Sequence, residues 1–173
     1  MGDKKRIKQM DRWNSCLHES AHSVVRQLKI GNLHEVGVES GGVSYSYPVE
    51  RKPFNEIDRD ELAKIAVVVA AGIVAEAELC SRIGNQDMAV ADDLRQWEGI
   101  QRIGGFSDEE MEQFMQEATE IVCAQERVIR KVAVELDRRH RLTGDRVTQI
   151  MERHLAQREF PPKIKVGAGS SLG

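Results

Sequence analysis

Ile65-Ala66-Val67-Val68-Val69-Ala70-Ala71-Gly72-Ile73-Val74-Ala75 is the longest apolar run in the chain, and what it is decides the fold. The run is about half the ~20 residues that a membrane-crossing helix needs. It sits inside a longer helical stretch, Asp58 to Cys80, whose start is acidic (Asp58, Asp60, Glu61), as suits the positive end of a helix dipole. A helix apolar nearly all round belongs in the middle of a fold, with other elements packed against every side. The run is therefore expected to be a buried core helix.

Working outward, the flanking segments supply those partners. Asp11 to Leu28 has Leu17, Ala21, Val24, Val25 and Leu28 at three- and four-residue steps, which predicts an amphipathic helix ended by Gly31-Asn32. In Leu33 to Tyr47, Val36 and Val38 alternate with small or polar residues, as do Val43, Tyr45 and Tyr47, around Ser40-Gly41-Gly42. This predicts a small β-hairpin. Val90 to Ile103 predicts a third helix, closed by Gly104-Gly105. Ser107-Asp-Glu-Glu110 has the spacing of a capping box and opens a helix running to about His140. Thr143-Gly144-Asp145 is expected to turn the chain into a last helix, Arg146 to Gln157, with His154 near its end as a surface residue. The expectation is a mainly α fold, an array of about five to six helices with one small β-hairpin or ribbon. It fills a single domain over residues 1–160, with a flexible tail at 161–173.

Composition agrees and narrows the function. The 173 residues include only Phe 4, Trp 2 and Tyr 2, too few aromatics for a β-sandwich. Lys+Arg 25 against Asp+Glu 28 leaves a net charge of −3, whereas a dedicated nucleic-acid binder carries a basic excess. Cys16, Cys80 and Cys123 are far apart and odd in number, which points to a reducing, cytoplasmic setting and not to a disulfide framework. The basic start, Lys4-Lys5-Arg6, has no apolar segment behind it, so no signal peptide is expected. A frayed, charged terminus is the default there.

One motif carries chemistry: His18-Glu19-Ser20-Ala21-His22, an HExxH within the first helix. Residues four apart share a helix face, so the two imidazoles can grip one metal ion. Glu19, next to the first of them, can serve as the base toward water. Cys16 lies on the other side of the helix and is expected to be a small buried residue. The plain alternative is a polar helix face with two ordinary histidines. Zinc needs a third protein ligand. His34, Glu76, Glu78, Asp92 and Asp93 are all candidates, and spacing alone does not choose among them.

These segments together resemble the zinc-peptidase domain of the FtsH-type membrane AAA proteases. HESAHSVV resembles the family's HEAGH-type motif and the apolar turn after it, with Ala21 in place of the usual Gly. EVGVESGGVSYS is similar to its strand pair, and AAGIVAEAEL to its apolar helix with a G-x-x-A-E core. Ala91-Asp92-Asp93-Leu94 is similar to the short segment that supplies the third ligand, and the stretch from Ala118 to Met151 to the final helices. The resemblance covers roughly residues 14 to 155.

The resemblance implies Zn²⁺ on His18, His22 and Asp93, with Asp92 as runner-up for the third position. It implies Glu19 as the catalytic base, and Glu76 behind the ligands, orienting an imidazole. The activity implied is hydrolysis of peptide bonds in extended or unfolded polypeptides. Such a substrate is expected to add as a strand along the Gly41–Tyr47 region, at Gly41, Gly42, Val43 and Ser44. The family's ATPase module and membrane helices have no counterpart in these residues, so ATP-independent action is expected. The partners expected are peptide substrates and either further copies of the chain or a separate ATPase. The alternative is a regulatory or catalytically weakened zinc-binding module that holds peptides for a partner.

Overall fold

The computed structural model describes residues 2–39, 44–48, 52–80 and 87–159. Among them are five α-helices, α1 (Gly2–Lys29), α2 (Arg59–Glu78), α3 (Asp87–Gly104), α4 (Asp108–Arg139) and α5 (Gly144–Glu159). Three strands, β1 (Leu33–Val38), β2 (Ser44–Pro48) and β3 (Arg141–Thr143), form one antiparallel sheet in the order β2-β1-β3. The fold is mainly α with a small ribbon, as the sequence pattern predicts.

Helix α2 lies at the centre. Asp58 caps it, its side chain accepting the Glu61 N–H at 2.8 Å. From Ile65 to Gly72 every residue is buried, as an apolar helix without a polar stripe requires. Helices α1 and α4 pack on α2 and on each other, and α3 packs on a further side of α2. The main core is shared by Leu17, Val24, Val36, Val68, Val122, Ile129 and Leu136, all nearly or fully inaccessible. A smaller cluster of Leu62, Ile65, Val69, Ile100 and Phe106 joins the first half of α2 to α3. No helix of the described residues is long and apolar enough to cross a membrane.

Helix α1 ends where Gly31 takes φ +76°, a conformation that costs a glycine nothing, and the Gly31 N–H reaches back to the Arg26 carbonyl at 3.0 Å. The chain then enters β1. A register irregularity between Leu33 and Glu35 lets Leu33 and Val36, three positions apart, both face the core. It leaves His34 exposed.

The structure corrects the sequence reading at several points. Helix α1 begins at Gly2, well before the Asp11 start that the pattern suggests, so the basic segment Lys4-Lys5-Arg6 lies within the helix. Helix α3 begins at Asp87, three residues earlier than the pattern suggests. Residues 141–143 form a strand against Glu35–Gly37, which widens the hairpin to three strands, and Gly144 and Asp145, expected in a turn with Thr143, already belong to α5. A three-residue strand is too short to show alternation, so only its pairing reveals it. His140 makes the junction. It takes φ 66° after α4, its carbonyl accepts the Val38 N–H at 2.9 Å, and its Nδ1 accepts from Arg12 Nη2 at 2.7 Å. His154 is buried beside Lys131 and is not a surface residue. The expected tail at 161–173 lies outside the described residues.

The capping box at α4 is present in both directions: Ser107 Oγ accepts the Glu110 N–H, and the Glu110 carboxylate accepts the Ser107 N–H. Ser107→Ala is expected to cost about 1 kcal/mol. In a domain of this size that lowers the melting temperature by roughly 2–4 °C, measurable by thermal unfolding followed by circular dichroism.

Candidate metal centre

Three helices meet at one buried point. Helix α1 brings His18 and His22, one turn apart on the face turned toward α2, and α3 brings Asp93. His18 Nε2 and His22 Nε2 lie 3.1 Å apart. Asp93 Oδ2 is 3.3 Å from the first and 3.2 Å from the second. The three atoms form a nearly equilateral triangle. Their residues are 2%, 8% and 5% exposed, and the separations leave no room for a water between them.

Hydrogen bonding behind the ligands shows what the triangle is made of. His22 Nδ1 lies 2.8 Å from the Val68 carbonyl in α2. A carbonyl only accepts, so Nδ1 carries the proton and Nε2 of the neutral ring is a lone pair. On the other side, His18 Nδ1 faces Glu76 Oε1 at 3.5 Å, long for a hydrogen bond, and has no closer acceptor among the described residues. A carboxylate there also favours the proton on Nδ1. Two imidazole lone pairs and a carboxylate oxygen therefore converge on one point. Asp93 Oδ2 is fully buried and has no hydrogen bond of ordinary geometry. Three buried acceptors repel each other unless a cation lies among them.

That cation is a proton or a metal ion. Without a metal, burial pulls the His18 imidazole down, but the carboxylates of Asp93 and Glu76 outweigh it and push its pKa up to about 10. Burial likewise raises Asp93, but the imidazoles of His22 and His18 beside it outweigh burial and hold its carboxyl well below the usual range. A metal ion fits equally. Donors bound at about 2.0–2.1 Å on one face of a metal stand about 3.0–3.4 Å apart, the edge length found here. The residue types, two histidines and a carboxylate, suit zinc. The His18, His22 and Asp93 group can hold a metal ion.

Burial separates the candidate third residues. Asp93 is inside, whereas Asp92 is exposed and paired with Arg95 on the outside of α3. His34 and Glu78 are exposed and outside the cluster. Glu76 stands behind His18, not among the three donors. Glu19 is 5% exposed, and its charge acts on the His18 imidazole, so it sits beside the cluster without belonging to the triangle. Cys16 is fully buried, as expected, and burial pushes its thiol up to about 12.

Of the expected substrate residues, Gly41, Gly42 and Val43 lie outside the described residues. Ser44 opens β2, half-buried and paired with Val38. Strand β2 is an edge of the sheet and rides on α1: Ser46 Oγ lies 3.4 Å from Ser23 Oγ, one residue past His22.

Two parts of the site take no chemical role from the sequence pattern, although one of them, Gly72, is the glycine of the G-x-x-A-E core. One is the Val68 carbonyl, a backbone group that no side-chain pattern can announce. The other is Gly72, in the middle of α2 and against the donor atoms of His22 and Asp93. A signal for it exists, because glycine inside a helix costs about 1 kcal/mol relative to alanine and calls for a reason. No family model matches the chain, and no curated protein is significantly similar to it.

Proposed function

We propose that this chain is a zinc metalloendopeptidase acting on extended segments of polypeptide, with the architecture of the FtsH-type peptidase domain. The observation that carries the reading is the convergence of two imidazole nitrogens and a carboxylate oxygen on one buried point, with Glu19 next to the first ligand. The order of segments supports the family resemblance: HExxH helix, strand pair, apolar helix and the Asp93 helix follow one another as in that family. The well-separated cysteines fit a reducing, cytoplasmic setting.

His18, His22 and Asp93 would hold the metal, and the Val68 carbonyl and Glu76 would fix the two rings. Zinc in such a set supplies Lewis acidity that polarises a carbonyl and makes water nucleophilic near neutral pH. Glu19 takes a proton from the attacking water as its oxygen bonds to the carbonyl carbon. Glu19 then delivers that proton to the amine nitrogen as the C–N bond breaks. An extended peptide can lie along the outer edge of β2, which among the described residues pairs only with β1, and backbone hydrogen bonds would hold it beside α1 without demanding a particular sequence. A separate ATPase would deliver folded substrates, and further copies of the chain would assemble as a homo-oligomer.

The test is hydrolysis of unfolded casein by the purified protein loaded with zinc. Cleavage that stops with a chelator and returns with zinc supports the proposal. A zinc-loaded protein with no cleavage favours the second reading, a peptide-holding module. One observation supports that reading: His18, Glu19, His22 and Asp93 are each under a tenth exposed, so substrate needs an opening to reach them.

Metal uptake should also release a proton. The metal-free cluster holds one at His18, whose pKa of about 10 keeps it protonated at neutral pH. The metal takes its place, so affinity is expected to rise about tenfold per pH unit between about pH 6 and about pH 8. Calorimetry in buffers of different ionisation enthalpy should count about one proton released per zinc at pH 7.

A further inference from the structure

We infer that Gly72 is a positioning residue of the metal centre: its bare backbone is the floor on which His22 and Asp93 meet. The inference rests on the zinc reading above and extends it to a residue that touches no substrate. A Cβ built on Gly72 would lie well inside contact distance of His22 Nε2 and Cε1 and of Asp93 Oδ2. Two of these three atoms are members of the donor triangle. They come from helices on different sides of α2, one from α1 and one from α3, so neither ring nor carboxylate can retreat without leaving the other.

The same gap serves the ring's other nitrogen. The Val68 carbonyl that accepts from His22 Nδ1 lies one turn before Gly72, and in a helix it also accepts the Gly72 N–H. With no side chain at position 72, the imidazole can lie flat enough on α2 to reach that carbonyl while Nε2 points to the metal. One glycine thus sets both the proton position on His22 and the closeness of Asp93. Crowding at Gly37, Gly104 and Gly144 involves Tyr45, Phe106 and Leu33 and none of the donor atoms. Gly99, also inside a helix, would place a Cβ in open space.

The experiment compares Gly72→Ala with Gly99→Ala in the full chain. Zinc affinity is measured by competition with a chromophoric chelator, and the coordination sphere by the visible d–d spectrum of the cobalt(II) form. Gly72→Ala is expected to weaken zinc at least tenfold and to change the cobalt bands, with Gly99→Ala matching the parent in both. Gly72→Ala binding zinc within twofold of the parent, with unchanged bands, would overturn the inference. Should Gly72→Ala fail to fold, His22→Ala and Asp93→Ala are added to it, which together remove both groups that the new methyl strikes. Recovered helicity then supports the collision, and continued unfolding contradicts it. A parent protein that takes up no zinc would sink the metal reading separately. The floor is then scored in chelator by the imidazole NMR signals of His22, which Gly72→Ala should shift and Gly99→Ala should not. Unshifted signals would overturn it.

Discussion

Glu19→Gln is expected to keep the full complement of zinc and to lower chelator-sensitive cleavage of casein by about 10²–10⁴-fold. The physical basis is the separation of roles inside one motif. His18 and His22 supply lone pairs to the donor triangle, and Glu19 does not. Glutamine has nearly the same shape as glutamate, so the buried position beside His18 stays filled. It has no carboxylate to accept the proton of the attacking water, so the step that depends on proton transfer fails. Metal content by elemental analysis and cleavage rate are measured on the same preparation. Activity within a few-fold of the parent would show that Glu19 is not the base.

Asp93→Ala and Asp92→Ala are expected to part sharply, although the residues are neighbours in sequence. Asp93 Oδ2 is one corner of the triangle, 3.2–3.3 Å from both imidazole nitrogens. Its loss leaves only two of the three donors. Affinity for zinc should then fall by more than the roughly 10–100-fold that loss of a supporting group behind a ligand costs. Asp92 is exposed on the far side of α3 and pairs with Arg95, an arrangement worth little in water. Asp92→Ala should bind zinc as the parent does. Glu76→Gln falls between them, since it keeps the shape behind His18 but weakens the pull on its Nδ1 proton. Equal zinc affinity in the Asp92 and Asp93 variants, measured by chelator competition, would remove Asp93 from the site.

Much of this was legible in the residues, for reasons that differ from element to element. The apolar run at Ile65–Ala75 has no polar stripe, so it could only be buried, and everything else had to pack around it. Ser107 and Glu110 announce a helix start because two backbone donors need two specific side chains three positions apart. His18 and His22 share a face by helix geometry alone. Asp93 was different. Asp92 and Asp93 are chemically identical, and only the packing of α3 on α2 turns one inward and the other out. The resemblance favoured Asp93 and the structure buries it. Strand β3 was missed because three residues carry no period, and its existence depends on the distant partners Glu35, Val36 and Gly37. His154 was misjudged because its burial depends on where α5 lands beside Lys131 of α4, a contact between distant parts of the chain. Gly72 was legible only as the glycine of the G-x-x-A-E core, because a glycine among alanines and valines looks like another small packing residue until the donors that rest on it are in view.

The most direct test of the metal centre is X-ray absorption at the zinc edge of the stoichiometrically loaded protein. The structure of the site predicts one zinc per chain with only nitrogen and oxygen neighbours at about 2.0–2.1 Å, including the outer-shell scattering of two imidazoles. Failure to take up stoichiometric zinc, or sulfur at about 2.3 Å from a cysteine, would contradict it.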